Sequence, residues 1–184
     1  VHDAAKAIVD LRKLPSLPSA VEMVDDNLLN FIDKTSPNQL KDVLDKPFKK
    51  TYLLIEFDDT NQRVQKRLVK KAKKILEDFG ATCQIESDIE KQEQLWKVRH
   101  AAAGITSFHN GNAKALPIVE DGIVPPEKLG ELVDGVYQLF ERHHLYAAVC
   151  GHAGDGHIHM QPMLDLGQLG DRQKVFRLMD DYHQ

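Results

Sequence analysis

Gly151-His152-Ala153-Gly154-Asp155-Gly156-His157-Ile158-His159, followed by Met160-Gln161-Pro162, is the stretch whose reading decides the fold. Upstream, Ala147-Ala148-Val149-Cys150 is a short apolar run of small and branched residues, suited to a buried strand. Downstream, residues 157 to 163 alternate polar and apolar, the pattern of a half-buried strand. Between them, Gly-x-x-Gly-x-Gly marks a turn in which the backbone takes positive φ or approaches a neighbour closely. The segment therefore reads as a β-hairpin. On its second strand His157, His159 and Gln161 share one face while Ile158 and Met160 take the other, because side chains alternate at every residue. Same-face neighbours stand roughly 7 Å apart at Cα, so their imidazoles can converge, and His152 faces them across the turn. Two or three imidazoles aimed at one point make a divalent-metal site, with zinc, iron, nickel and manganese all compatible. The plainer reading of the same residues is an exposed polar strand face with glycines that serve only the turn.

Working outward, 184 residues suit one domain with a sizeable core. A formal charge of -4 and a pI near 6.1 argue against a nucleic-acid binder, which is usually basic. With 42% hydrophobic and 28% charged residues the composition is that of an ordinary globular chain. No apolar run reaches membrane length and no signal-peptide pattern occurs, so the expected compartment is the cytoplasm. Cys83 and Cys150 lie far apart on expected strands and read as buried thiols rather than a disulfide. Val1 falls inside one helical pattern (Ala4, Ala5, Ile8, Val9, Leu11) and Gln184 inside another (Val175, Phe176, Leu178, Met179). The expectation is an excised domain, residues 1 to 184, of a longer protein.

Local signals place the remaining elements. A helix over residues 3 to 14 is stopped by Pro15-Ser16-Leu17-Pro18. A strand over 19 to 24 follows, with Asp25 or Asp26 as N-cap of a helix ending near Ile32. Residues 33 to 47 are polar and read as loop plus a short helix. Thr51 to Phe57 is the clearest strand, and Val64, Leu68, Ala72, Ile75, Leu76 and Phe79 recur at helical spacing from Gln62 up to the stop at Gly80. The opposite face of that helix, with Arg63, Lys66, Arg67, Lys70, Lys71, Lys73 and Lys74, reads as solvated, with docking of an acidic partner or anionic lipid as the second reading. Ala81 to Glu86 suits a strand, and Ser87-Asp88-Ile89-Glu90 is a capping box opening a helix to about His109. Leu116 to Asp121 suits a further strand, and Pro125-Pro126-Glu127 opens a helix burying Leu129, Leu132, Val133, Val136 and Phe140. His143 and His144 near its end fit as partners of the helix dipole. The fold class expected is α+β, ferredoxin-like, a mostly antiparallel sheet with helices packed on one face. A doubly wound parallel fold is the competitor, and it lacks a Gly-x-Gly-x-x-Gly after an early strand.

Three segments carry a family resemblance. GHAGDGHIH resembles the GH-x-GDGN-[LI]-H segment in the C-terminal (cap) domain of FAD-linked oxidases of the vanillyl-alcohol oxidase type, the group of D-lactate dehydrogenases, the glycolate oxidase flavin subunit and D-2-hydroxyglutarate dehydrogenase. Leu95-Trp96-Lys97-Val98-Arg99 is similar to the family's LW-x-x-R helix, and Pro117 to Pro125 to its P-x-x-EDx-x-VP strand. The matches run in order over residues 95 to 165, whereas the first ninety residues match in general pattern only.

The resemblance implies the substrate-binding cap of an FAD-dependent 2-hydroxy-acid dehydrogenase of D-lactate or glycolate type, with FAD bound by a separate FAD-binding domain. It implies Arg99 and Lys114 as holders of the substrate carboxylate with Gln161 beside them, His152 and His159 as ligands of a divalent metal, zinc first, and His159 in catalysis; His157 is expected to join it there as this chain's own departure from the family pattern. A guanidinium suits a carboxylate because its planar fork binds it in bidentate fashion. His157 stands where the family usually has Asn and fits a further ligand, a proton acceptor or a flavin contact. The partners implied are the 2-hydroxy acid and the FAD-binding domain, with no nucleic acid, and the parent's place at the inner face of a membrane is left open. The alternative class is a non-catalytic metal-binding or regulatory ferredoxin-like module; a second alternative keeps the flavin chemistry without a metal, using histidines as bases.

Overall fold

The hairpin forms as its alternation requires. β5 (Ala147–Gly151) and β6 (His157–Leu164) pair antiparallel, with Cys150 opposite His159 and Val149 opposite Met160. A computed structural model describes the chain apart from residues 36, 37, 39, 42, 45, 49 and 104–112. Ahead of the hairpin come α1 (His2–Leu11), β1 (Ala20–Val24), α2 (Asp26–Thr35), β2 (Tyr52–Glu56), α3 (Gln62–Asp78), α4 (Ile89–Ala103), β3 (Lys114–Ala115), β4 (Gly122–Ile123) and α5 (Leu129–Arg142), and after it α6 (Leu169–Tyr182). The sheet runs β2-β1-β5-β6-β3, with β4 also pairing with β6, and every pair is antiparallel. This is the α+β, antiparallel architecture expected.

Strand alternation sorts the apolar residues into two layers. Val21 and Met23 of β1, Val149 of β5, and Ile158 and Met160 of β6 pack with Ile8 of α1, Leu129, Val133, Val136, Leu139 and Phe140 of α5, and Leu178 of α6. The opposite face presents Val24, Ala148 and Cys150 to Leu28, Leu29 and Ile32 of α2 and to Val98, Ala101 and Ala102 of α4. Helices on one face thus describes α1, α5 and α6, while α2 and α4 add a second layer behind the sheet. Each fully buried leucine or isoleucine contributes on the order of 1.5–3 kcal/mol of transfer free energy, which makes these two clusters the main support of the sheet.

Several local expectations are corrected. Ala81 to Glu86 is not a strand: it pairs with nothing in the sheet, and Ile85 is left 54% exposed. β2 ends the sheet and its outer edge receives no strand among the described residues, so period-2 alternation in 81 to 86 is not enough by itself to build a ladder. Leu116 to Asp121 is likewise irregular: the strands are limited to Lys114–Ala115 and Gly122–Ile123, with one further bond from Leu116 N to Pro162 O at 3.1 Å, Pro117 has no N–H to give a ladder, and Asp121 takes φ +60. The cap of α4 is shifted by one residue, since the helix begins at Ile89 and Asp88 Oδ1 accepts from Lys91 N at 3.1 Å. The Glu86 carboxylate accepts from Ser87 N instead, so Ser87 is not the cap. Its expected extension to about His109 lies outside the described residues. Asp25 is the cap of α2, its Oδ1 accepting from Leu28 N at 2.8 Å, and the helix runs on to Thr35. Within α5 it is Leu139 that is buried, and Leu132 is only partly so. Both cysteines are free thiols, Cys150 buried and Cys83 half-buried. Among the described residues no helix is long and apolar enough to cross a membrane.

Candidate functional site: a histidine and carboxylate cluster on one sheet face

Along β6 the buried residues Ile158, Met160, Pro162 and Leu164 alternate with the half-buried His157, His159, Gln161 and Met163. The β5–β6 connection is a single turn of 3-10 helix, Ala153–Asp155, ended by Gly156 in the left-handed region at φ +71. A Cβ at Gly156 would sit 1.9 Å from the Val124 carbonyl oxygen, so only glycine allows β4 to approach the turn. That approach is fixed by Val124 N donating to Gly156 O at 3.0 Å. From the other side Arg12 at the end of α1 donates from Nη1 to the Gly154 carbonyl at 2.5 Å, tying the turn to the helix layer.

The register of β4 on β6, Gly122 opposite Ile158 and Ile123 opposite His157, sets Asp121 beside His159. Asp121 Oδ1 accepts from His159 Nδ1 at 2.9 Å and from His157 Nε2 at 3.1 Å. These hydrogen bonds, that from His157 first, hold the Asp121 carboxyl below the ordinary carboxylate range. One ligand atom from each of Asp121, His157 and His159 lies within 4.8 Å of the others. The His152 ring stands 5.6 Å from the rings of both His157 and His159, which are themselves 4.9 Å apart, centroid to centroid. The hairpin thus brings together the three imidazoles that its spacing singles out.

Around them lie four groups. Glu22 of β1, buried, accepts from His152 Nδ1 at 2.6 Å through Oε1 and from Arg99 Nε of α4 through Oε2. Arg99 therefore does reach the site, already paired with a carboxylate. Gln161 donates from Nε2 to Glu120 Oε1 at 3.1 Å, and its Oε1 is buried without a partner among the described residues. Cys150 lies opposite His159 in the ladder, and burial pushes its thiol up to about 12, which leaves it protonated and unreactive at neutral pH. Lys114 is exposed on β3 opposite Leu164, at the far end of β6 from the imidazoles. The structure does not bring its backbone to the cluster.

Each imidazole has a carboxylate behind it: Glu22 for His152, Asp121 for His157 and His159. Carboxylates in this position fix the tautomer and raise the basicity of histidines that ligate metals. The donor set that converges, Asp121, His157 and His159, fits a divalent ion that keeps a further position for water or substrate, with the His152 ring standing beside it. Sequence reasoning missed Glu22 and Asp121 as partners. The available signals were a charged residue inside the apolar β1 run and an acid directly before the Gly122 that opens β4.

An antiparallel α+β domain with a carboxylate-backed histidine cluster on one sheet face is the class that fold and site define. The chain belongs to the family described as FAD linked oxidases, C-terminal domain, whose family model matches residues 1–184. The resemblance carried by the three sequence motifs is thereby borne out. Over 186 residues the chain is 29% identical to D-2-hydroxyglutarate dehydrogenase of Haemophilus influenzae, covering 93% of this chain and 18% of that protein. It is 23% identical over 162 residues to the mitochondrial D-lactate dehydrogenase [cytochrome] of Kluyveromyces lactis, covering 86% and 27%. It is 22% identical over 175 residues to glycolate oxidase subunit GlcD of Bacillus subtilis, covering 95% and 35%. The chain spans roughly a fifth to a third of the length of these relatives.

Proposed function

We propose that this chain is the substrate-side catalytic domain of an FAD-dependent 2-hydroxy-acid dehydrogenase, oxidising the 2-hydroxy acid to the 2-oxo acid with an FAD-binding domain as its partner. The observation that carries the reading is the placement of three carboxylate-backed imidazoles and a buried-side arginine on one sheet face, in a member of the FAD-linked oxidase family. His152, His157 and His159 hold a divalent metal, and Arg99 takes the substrate carboxylate. Gln161, with its unpartnered Oε1, accepts a hydrogen bond from a substrate hydroxyl or from bound water. The metal supplies a Lewis acid that lowers the pKa of the 2-hydroxyl, and FAD supplies the acceptor for the hydride from C2. This chain's own share is to orient the substrate by its carboxylate, to keep the imidazoles aimed through Glu22 and Asp121, and to close one side of the site with the sheet.

The test is anaerobic mixing of the full-length flavoprotein with D-2-hydroxyglutarate, D-lactate and glycolate in turn. Bleaching of the flavin spectrum by one of them is expected, together with its loss after chelator treatment and its return on adding Zn2+. Failure of every 2-hydroxy acid to reduce the flavin would refute the dehydrogenase reading; reduction that survives the chelator would remove the metal and leave the histidines as bases.

A further inference from the structure

Glu22 carries a charge on a strand whose other residues are apolar, and its side chain is only 7% exposed. We propose that Glu22 is a positioning residue that locks His152 and Arg99 into one unit: it holds the imidazole in the tautomer that can ligate a metal, and it turns the outer edge of the guanidinium toward the substrate carboxylate. The inference rests on the metal-assisted dehydrogenase reading and adds the group that couples its two halves.

A carboxylate beside a permanently charged guanidinium only accepts. Glu22 divides its two oxygens, Oε2 to Arg99 Nε and Oε1 to His152 Nδ1 at 2.6 Å. Nδ1 therefore carries a hydrogen, so that of the two neutral tautomers Glu22 selects the one whose Nε2 keeps its lone pair for a metal. That ring stands 5.6 Å from both His157 and His159. On the other side, Arg99 gives Glu22 its Nε, and its two Nη groups make no hydrogen bond among the described residues. Those two groups form the terminal fork that binds a carboxylate in bidentate fashion.

The plainer role, an ion pair that lets an arginine be buried, accounts for only half of this. Arg99 is 14% exposed and needs one carboxylate oxygen, but His152 is 46% exposed and has no need of burial partners. Committing the second oxygen to a half-exposed ring makes sense as orientation. The backbone also supports it, since Glu22 shares its sheet face with Val24, which lies opposite Cys150, and Cys150 lies opposite His159.

Glu22→Gln keeps the shape but cannot accept at both ends, because one carboxylate oxygen becomes a donor. In the full-length flavoprotein, Zn2+ titrated against a chromophoric chelator is expected to bind about 10- to 100-fold more weakly in this variant. KM for the 2-hydroxy acid is expected to rise about tenfold, with a smaller change in kcat, as for a lost charge-assisted contact. Glu22→Asp keeps the charge, is one methylene too short to span both partners, and is expected to move the same two quantities by a smaller factor. A merely structural Glu22 would lower Tm and leave Zn2+ affinity and KM of the folded protein untouched. Both variants folded, with wild-type Zn2+ affinity and wild-type KM, would overturn the proposal. If no 2-hydroxy acid reduces the wild-type flavin, the dehydrogenase reading falls, while the Zn2+ titration still decides the role of Glu22.

Discussion

Asp25, at the junction of β1 and α2, is fully buried and accepts three hydrogen bonds: from Leu28 N at 2.8 Å, from Val149 N at 3.1 Å and from the Tyr137 hydroxyl at 2.6 Å. Burial outweighs those donors and pushes its carboxyl from 3.8 up to about 6. The folded protein therefore binds this proton more tightly than the unfolded chain does. The resulting stabilisation is fully present below about pH 4, the unfolded value, and is lost as the pH rises through about 6. The difference of 6 - 3.8, about 2 pH units, corresponds to about 3 kcal/mol. Asp25→Asn isolates the effect, because the amide, like the protonated acid, is uncharged and keeps an acceptor for Leu28 N. Urea unfolding of both proteins between pH 3.5 and 8, followed by fluorescence of Trp96, the single tryptophan of this chain, measures it. Wild type is expected to lose about 3 kcal/mol relative to the asparagine variant between about pH 4 and about pH 7. A stability difference that is flat with pH, or that favours wild type as the pH rises, would show that the three donors outweigh burial and would refute this reasoning.

Two further outcomes are expected. Gly156→Ala should cost at least about 2 kcal/mol, from a left-handed backbone and from a Cβ placed 1.9 Å from the Val124 carbonyl; the Tm of the variant checks this, and an unchanged Tm would mean that β4 moves away at no cost. His157→Asn should leave the fold intact, since the ring is half-buried on the polar face of β6, and should weaken Zn2+ binding more than about tenfold. Turnover and its pH profile unchanged in that variant would exclude any part for His157 in the site.

What was legible in the sequence was what is local. The β5–β6 hairpin, its glycine turn and the shared face of His157, His159 and Gln161 follow from a period of two and from glycine stereochemistry, and the structure reproduces each. So do the helices whose apolar stripes repeat, α3 and α5. Residues 81 to 86 alternate and residues 116 to 119 are an apolar run, yet neither stretch forms a strand. Local pattern does not decide whether a stretch joins a ladder: 81 to 86 stay unpaired although β2 ends the sheet, and Pro117 removes a ladder donor from 116 to 121. The carboxylates of the site were hidden for a related reason. Glu22 and Asp121 meet the histidines only through the registers of β1 on β5 and of β4 on β6, which no local pattern encodes.

That separation in sequence bears on how the site comes into being. The hairpin alone supplies three imidazoles, but their tautomers are set by Glu22 from β1 and by Asp121 from the segment before β4. Arg99 comes from α4, behind the sheet, and is held by the same Glu22. An isolated hairpin would present histidines that are mobile, solvated and of mixed tautomer, and it would hold a metal weakly. Only when β1 and β4 have docked does each ring acquire its carboxylate, so under the proposed function any metal held there would favour the assembled sheet. The histidine cluster, Arg99 and the antiparallel order of the sheet are in this sense one structural unit, with Glu22 at the point where they join.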